Sequence, residues 1–536
     1  MTASSNSSWV CDGIPKNGKE YTGLGGAHEP HENYALDCEI CGLPKESSAS
    51  KKTTSPFPVK TVIPVALVAC LGVGLYIFRC QIFSCDTCAE GQVMLNGNCV
   101  TEEPDTIDNQ DSILAFASEW VSLGERHLFK GKSNTRRDDG IVAFKNGDLV
   151  TAEQNFQQAV ADDKNDPEIQ IYLNNTQAAL QGSPFKIAAV VPVEEKEASA
   201  TEMLRGIADA QTEFNNQGGI AGRLVQVVVA NDSNDSSQAR SIARELAKDR
   251  DILGIIGHNS SGVSRSALNE YEKARLVMIS PTSTATDLSN DYFLRTVPTD
   301  AISGKKLAEY AQKAGVSRVA IFYDATSSYS KSLQKAFESN FSQLGGNILR
   351  SIDISSPNFN SEQEIKNLKQ DTDAIALFPS TKTTSVAIGI ARANTELPGE
   401  KLTMLGGDAL YSSDVLNQGG TDVNGLIIAI PWFSQSQPYA QKANKRWIGT
   451  INWRTAASFD AAKALLKSLE DNADRASVRQ NLQSVSLAAN ETSGEPLSFA
   501  NSERENVEPV LVQIDSGSYR QSGQFANGFK LIEPLF

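Results

Sequence analysis

The chain has 536 residues, 40% of them hydrophobic and 21% charged, with a formal net charge of -15 at pH 7. That length and balance describe a multidomain globular protein and exclude a wholly disordered one. The acidic charge, with no Lys/Arg-rich face and no interleaving of aromatic and basic residues, excludes a nucleic-acid partner.

All eight cysteines lie between Cys11 and Cys99, so the rest of the chain holds neither a disulfide framework nor a thiol nucleophile. In residues 1–58, Trp9, Cys11, Asn33 and the pair Cys38 and Cys41 before Gly42 resemble half of a zinc ribbon or RanBP-type finger. The second Cys of the first pair is missing, so a four-coordinate structural zinc needs His28 or His31 beside the three cysteines. A degenerate, metal-free finger is the alternative.

Residues 61–78, TVIPVALVACLGVGLYIF, contain no charge and are followed by Arg79, which predicts a transmembrane helix over 59–79. Lys45, Lys51, Lys52 and Lys60 precede it. After Arg79 no Lys or Arg occurs before Arg126, whereas Asp86, Glu90, Glu102, Glu103 and Asp105 do. The positive-inside rule then predicts a single-pass protein of the plasma (inner) membrane, N-terminus cytoplasmic and the bulk of the chain periplasmic or extracytoplasmic. On that side disulfides form, and Cys80, Cys85, Cys88 and Cys99 read as a two-disulfide knot of open connectivity, closed by an acidic linker to residue 110.

Helical periodicity begins at Asp111 with Ile113, Leu114, Phe116, Trp120, Val121 and Leu123. Gly140, Phe144, Ala152, Phe156, Ala159 and Pro167 then resemble a tetratricopeptide repeat, so 111–182 reads as a small α-helical region. A plain helical hairpin agrees equally well with these residues.

From Phe185 strands and helices alternate: FKIAAVVPV, LVQVVVAND, ILGIIGH and LVMIS in a first series, RVAIFYD, ILRSIDI, AIALFP and LTMLGGD in a second. This pattern predicts an α/β architecture of two doubly wound parallel-sheet lobes over 185–536. Lobe one is expected over 185–298 and 432–490, lobe two over 299–431 and 491–536. The chain would cross near Pro298, Pro431 and again between Asn490 and Pro496, which makes a hinge.

Within residues 252–288, two hydroxyl-bearing loops, NSSG and PTST, follow neighbouring strands. Loops at the carboxyl ends of parallel strands open into one crevice, and their hydroxyls and N–H groups suit a carboxylate. Helix capping by Ser and Thr is the plainer reading of either loop alone.

The two-lobe region resembles the type I periplasmic binding proteins, in their branched-chain amino acid and receptor-ligand-binding branch. The motifs are FNNQGGIAGRLVQVVVAND, GHNSSG, LVMISPTSTATDL, FLRTVPTD, VAIFYDATSSYSKSL, LGGDALY and ASFDAAKAL. The resemblance implies a type I periplasmic binding fold with Ser260, Ser261, Ser283 and Thr284 around a ligand carboxylate, Tyr329 as a pocket aromatic, and Asp408 receiving an ammonium. Two departures leave the side-chain end of the ligand open. The loop after the first strand carries Glu194, Glu195 and Glu197, a solvated rim or a selector for basic ligands, and Ser380 or Thr381 replaces an expected ring.

Enzyme readings fail on their own residues. Gly257 to Gly262 has phosphate-loop spacing but is followed by Val263 and Ser264 instead of Lys-Ser/Thr. GGIAG lacks the dinucleotide order, and His258, the one histidine of the two-lobe region, has no second metal ligand. The expectation is a non-enzyme with no cofactor in the binding domain. The resemblance implies that it captures an amino acid or similar small polar ligand and delivers it to an ABC permease. Two alternatives stand beside it: a receptor passing lobe closure to the finger-like segment, and a non-binding assembly protein.

Overall fold

The computed structural model describes residues 9–11, 31–33, 92–95, 98–101, 119–129, 133–368, 371–434, 437–516 and 528–532. The chain divides into two units, 1–109 and 110–536. In the first, Trp9–Cys11 pairs antiparallel with His31–Asn33, and Gln92–Leu95 with Asn98–Thr101.

The second unit holds two sheets. The first is ordered Ser486–Leu487, Leu497–Ala500, Glu503–Arg504, Phe293–Arg295, Met278–Ser280, Ile252–Ile256, Phe185–Val191, Val225–Asn231 and Val121–Ser122. The other is ordered Asn347–Asp353, Arg318–Tyr323, Ala374–Phe378, Thr403–Gly406, Ile427–Ile430, Val510–Asp515 and Gly528–Leu531. The central strands are parallel and are joined by helices. Ile252–Ile256, Val225–Asn231 and Ala374–Phe378 are buried along their whole length because helices cover both faces. At the rims pairing turns antiparallel, as between Ile427–Ile430 and Val510–Asp515. Both sheets are therefore mixed, not purely parallel as expected: chain returning from the other lobe is added at one edge of each, and Val121–Ser122 closes the far edge of the first.

The lobes exchange chain after Arg295, after Ile430 and after Arg504. The third crossing was expected at 490–496, but Leu497–Ala500 and Glu503–Arg504 still pair within the first sheet, and only Val510–Asp515 joins the second. Short strands after a Pro-containing loop carry no pattern that assigns them to one sheet or the other.

The helical segment is an integral part of lobe one. Helices Thr135–Lys145, Leu149–Asp162 and Pro167–Gln181 bury Phe144, Phe156 and Tyr172. Asn175 fastens the third helix to the sheet: its Nδ2 donates to the carbonyls of Leu123 and Val227, and its Oδ1 accepts from Val227 N and Gln211 Nε2, all at 2.8 Å. A buried amide with every one of these bonds made specifies one docking geometry. The helix expected from Asp111 through Leu123 is not formed over its described part. Trp120 lies in a turn and Val121–Ser122 is an edge strand on Val225–Asn231, because the open edge of the sheet offers backbone partners that an isolated helix lacks.

The single-pass membrane placement is corrected: among the described residues no helix is long and apolar enough to cross a membrane. The expected span, 59–79, lies outside the described residues, as do His28, Cys38, Cys41, Cys80, Cys85 and Cys88. Cys99 falls in the strand Asn98–Thr101.

Candidate functional site

The first wall of the site is built by two loops locked together. Strand Ile252–Ile256 runs into His258, whose ring is fully buried, with Nδ1 2.6 Å from Asp232 Oδ2 and Nε2 3.1 Å from the Tyr271 hydroxyl. The His258 carbonyl accepts hydroxyl bonds from Ser280 at 3.1 Å and Thr282 at 3.0 Å, and Thr282 also donates to the Asn259 carbonyl at 2.8 Å. His258 is thus a brace between loops. Helix Ser261–Lys273 follows, and its N-cap, Ser260, makes no side-chain cap bond. The N–H groups of a first helical turn have no partner within the helix and carry partial positive charge. Ser261, Gly262 and Val263, which make up that turn, line a cleft of about 530 Å³ between the lobes.

The opposite wall comes from lobe two. Helix Ser328–Gln343 is capped by Ser327, which sets Tyr329 in its first turn, and the Tyr329 hydroxyl accepts from Ala409 N at 3.4 Å. A Cβ at Gly407 would run into that hydroxyl, so glycine before Asp408 lets the Tyr329 hydroxyl approach the loop. Asp408 opens a short 3-10 turn, Asp408–Leu410, at the end of strand Thr403–Gly406. Burial raises its carboxyl to about 6, against the opposing pull of the Arg454 guanidinium. Burial, and then the Asp408 charge, push the Tyr329 phenol well above its ordinary value.

Of the residues expected from sequence, Ser260, Ser261, Tyr329 and Asp408 line the cleft together. Ser283 and Thr284 do not. Ser283 is buried with its Oγ 2.7 Å from Ser264 Oγ and its carbonyl accepting from Arg295 Nη1 at 2.9 Å. Thr284 is buried behind the wall, its carbonyl accepting from Asp300 N at 2.8 Å. Thr282 reaches the cleft in their place, turned there by its two carbonyl acceptors.

Ser380 and Thr381 both line the cleft where a ring was expected. Ser380 and Asp324 are tied to Thr383, and Thr381 Oγ1 accepts from Asn234 Nδ2 of the other lobe at 3.4 Å. Glu194, Glu195 and Glu197 are exposed and stand outside this lining, as a solvated rim. Among the described residues no group of three or more His, Cys, Asp or Glu gathers as a metal site; Cys11 and His31 are paired residues of one ladder.

Sequence reasoning missed Arg454, in the first turn of helix Trp453–Lys467. It is 5% exposed, its guanidinium lies 4.2 Å from the Trp453 ring, and it lines the cleft. One Arg at a helix start reads as a solvent-facing charge, and nothing local marks it otherwise.

A family model described as periplasmic binding protein matches residues 184–518. The Leu/Ile/Val-binding protein of Escherichia coli (strain K12) is 25% identical over 280 residues, covering 50% of this chain and 75% of that protein. Among solved structures, an ABC transporter substrate-binding protein from Desulfitobacterium hafniense in complex with Leu superposes with a TM-score of 0.54 at 22% identity, covering 63% of this chain and 100% of that one. The leucine-, isoleucine-, valine-, threonine- and alanine-binding protein from Brucella ovis, in its closed conformation, gives 0.58 at 14% identity, covering 66% and 95%. These proteins bind substrates and are not enzymes. With the matching family model spanning more than half of its length, the chain belongs to the periplasmic binding protein family.

Proposed function

We propose that this protein is the solute-binding component of an ABC-type import system and holds an amino acid between its two lobes. The observation that carries this reading is the polarity of the cleft. One wall presents hydroxyls and an open helix N-terminus at Ser260 and Ser261; the other presents the Asp408 carboxylate beside Tyr329. An α-amino acid is the complement of such a pair: its carboxylate accepts from the first-turn N–H groups and the Ser261 hydroxyl, and its ammonium donates to Asp408. Ser283 and Thr284 support the loop from behind. Each charge-assisted bond is worth about 1.5–3 kcal/mol. The relatives named for leucine, isoleucine and valine support the ligand class.

The test is a thermal-shift panel of the proteinogenic amino acids on the full chain, followed by calorimetry on those that stabilise it. Saturable binding of at least one, abolished by Asp408→Ala, is expected. A panel that leaves the unfolding temperature unmoved, with no heat of binding, rejects the reading.

A further inference from the structure

Three other buried arginines among the described residues each give several hydrogen bonds to carbonyls, and two of them also face a carboxylate. Arg295 gives hydrogen bonds to the carbonyls of Ser283, Ala285 and Leu288 and faces Glu503 at 3.0 Å. Arg475 serves the carbonyls of Ala247, Asp249, Ile252 and Ala274. Arg504 pairs with Asp460 at 2.7 Å and donates to three further carbonyls. Arg454 differs from all of these. Its guanidinium makes one hydrogen bond, from Nη1 to the Tyr411 carbonyl at 3.3 Å, and its Nε is buried with no partner; Asp408 and Glu202 act on it through their charge, but neither takes up its donors.

A guanidinium presents five N–H donors in a planar fork shaped for a carboxylate. Removing such a fork from water with most of its donors unpaired is costly, and the cost is offset when an anion in the same cavity accepts from them. Arg454 stands in the lining of the interlobe cleft, so a ligand bound there can supply that anion. The cavity shows the same unmet polarity elsewhere: Asn259 Nδ2 and Asn234 Oδ1, on residues 5% and 4% exposed, also lack partners and line it. An aliphatic side chain would leave these groups desolvated and unpaired.

We infer that the ligand carries a second anionic group, received by Arg454, and is a dicarboxylic amino acid instead of a branched-chain one. This rests on the reading above, in which the α-carboxylate lies at the Ser261 helix terminus and the ammonium at Asp408. Arg454 then sets specificity, and the hydroxyls of Thr381 and Ser380 complete the polar surroundings of the longer ligand.

The experiment is calorimetry at pH 7.5 of the full chain with L-aspartate, L-glutamate, L-leucine and glutarate, repeated on Arg454→Gln. One dicarboxylic amino acid is expected to bind at least about tenfold more tightly than leucine, and Arg454→Gln to weaken it by about 10- to 100-fold more than it weakens leucine. Leucine binding more tightly than both dicarboxylic amino acids overturns the inference and leaves the proposed function standing. An equal loss for leucine in Arg454→Gln also overturns it, because Arg454 then holds the α-carboxylate. Glutarate binding as well as glutamate supports the second anion and removes the ammonium role of Asp408. No binding of any of the four overturns the inference, and the amino-acid panel above decides separately on the proposed function. Should Arg454→Gln fail to fold by circular dichroism, the wild-type ranking of the four ligands decides alone.

Discussion

Arg504 Nη1 lies 2.7 Å from Asp460 Oδ2, and this buried pair stands where the chain makes its last passage from the first lobe to the second. Arg504 also donates to the Thr296 carbonyl, in the first passage, while Ser493 bonds both carboxyl oxygens of Asp460 and offers its carbonyl to Trp432 Nε1, in the second. All three connections between the lobes are therefore gathered on one ion pair. Asp460→Ala leaves a buried guanidinium without its counter-ion and is expected to cost about 3–5 kcal/mol, measured by chemical denaturation. Lobe movement should loosen with it, read as a larger radius of gyration in solution scattering.

The Asp408 carboxyl, raised to about 6 by burial, predicts a pH dependence of binding. A ligand ammonium is held by the ionised form. Affinity should be level above about pH 7 and fall by up to about tenfold per unit as pH drops below 6. In Asp408→Asn, calorimetry between pH 5 and 8 should show weak binding with this slope removed.

Asp300 is buried next to Thr284, and burial, with the Asp408 charge as the second cause, raises its carboxyl to about 8. Ser332 and Arg295 act in the opposite direction. The folded protein therefore holds this proton more tightly than the unfolded chain does. The stability it contributes is complete below about pH 4 and is lost as pH rises through about 8. Asp300→Asn cannot ionise, so its unfolding temperature should gain on that of the wild type as pH is raised from 5 to 9. Parallel curves would remove the buried acid from the account.

Helices Glu197–Asn216 and Trp453–Lys467 approach closely at Gly206, where a Cβ would collide with the Thr455 carbonyl and crowd Phe459 N at 2.6 Å. The two nearest atoms are backbone, which cannot yield as the end of a side chain would. Gly206→Ala is expected to destabilise by about 1–3 kcal/mol in thermal unfolding, despite the better helix propensity of Ala.

How much of this was legible can be judged residue by residue. The strands at 185–191, 225–231 and 252–256 are unbroken apolar runs followed by small polar turns, a local signal that survives in the structure without change. Ser261 was legible in a hydroxyl-bearing loop that follows such a strand, whereas Asp408 came only from the family resemblance; both line the cleft. Thr282 against Ser283 was not legible, because one step along a turn exchanges wall for interior and depends on which carbonyls His258 and Asn259 offer.

The sequence by itself determined the alternation of strand and helix, the two-lobe architecture, and the NSSG loop that the structure sets in the cleft lining. These follow from periodicity and turn chemistry, which act over a few residues. Only the tertiary structure decided that Val121–Ser122 closes a sheet edge, that the last crossing follows Arg504, and that Arg454 is drawn out of solvent into the cleft. Each of these rests on contact between segments far apart in the chain. A strand edge, a hinge or a buried charge is defined by the partner that reaches it, and no local pattern encodes that partner.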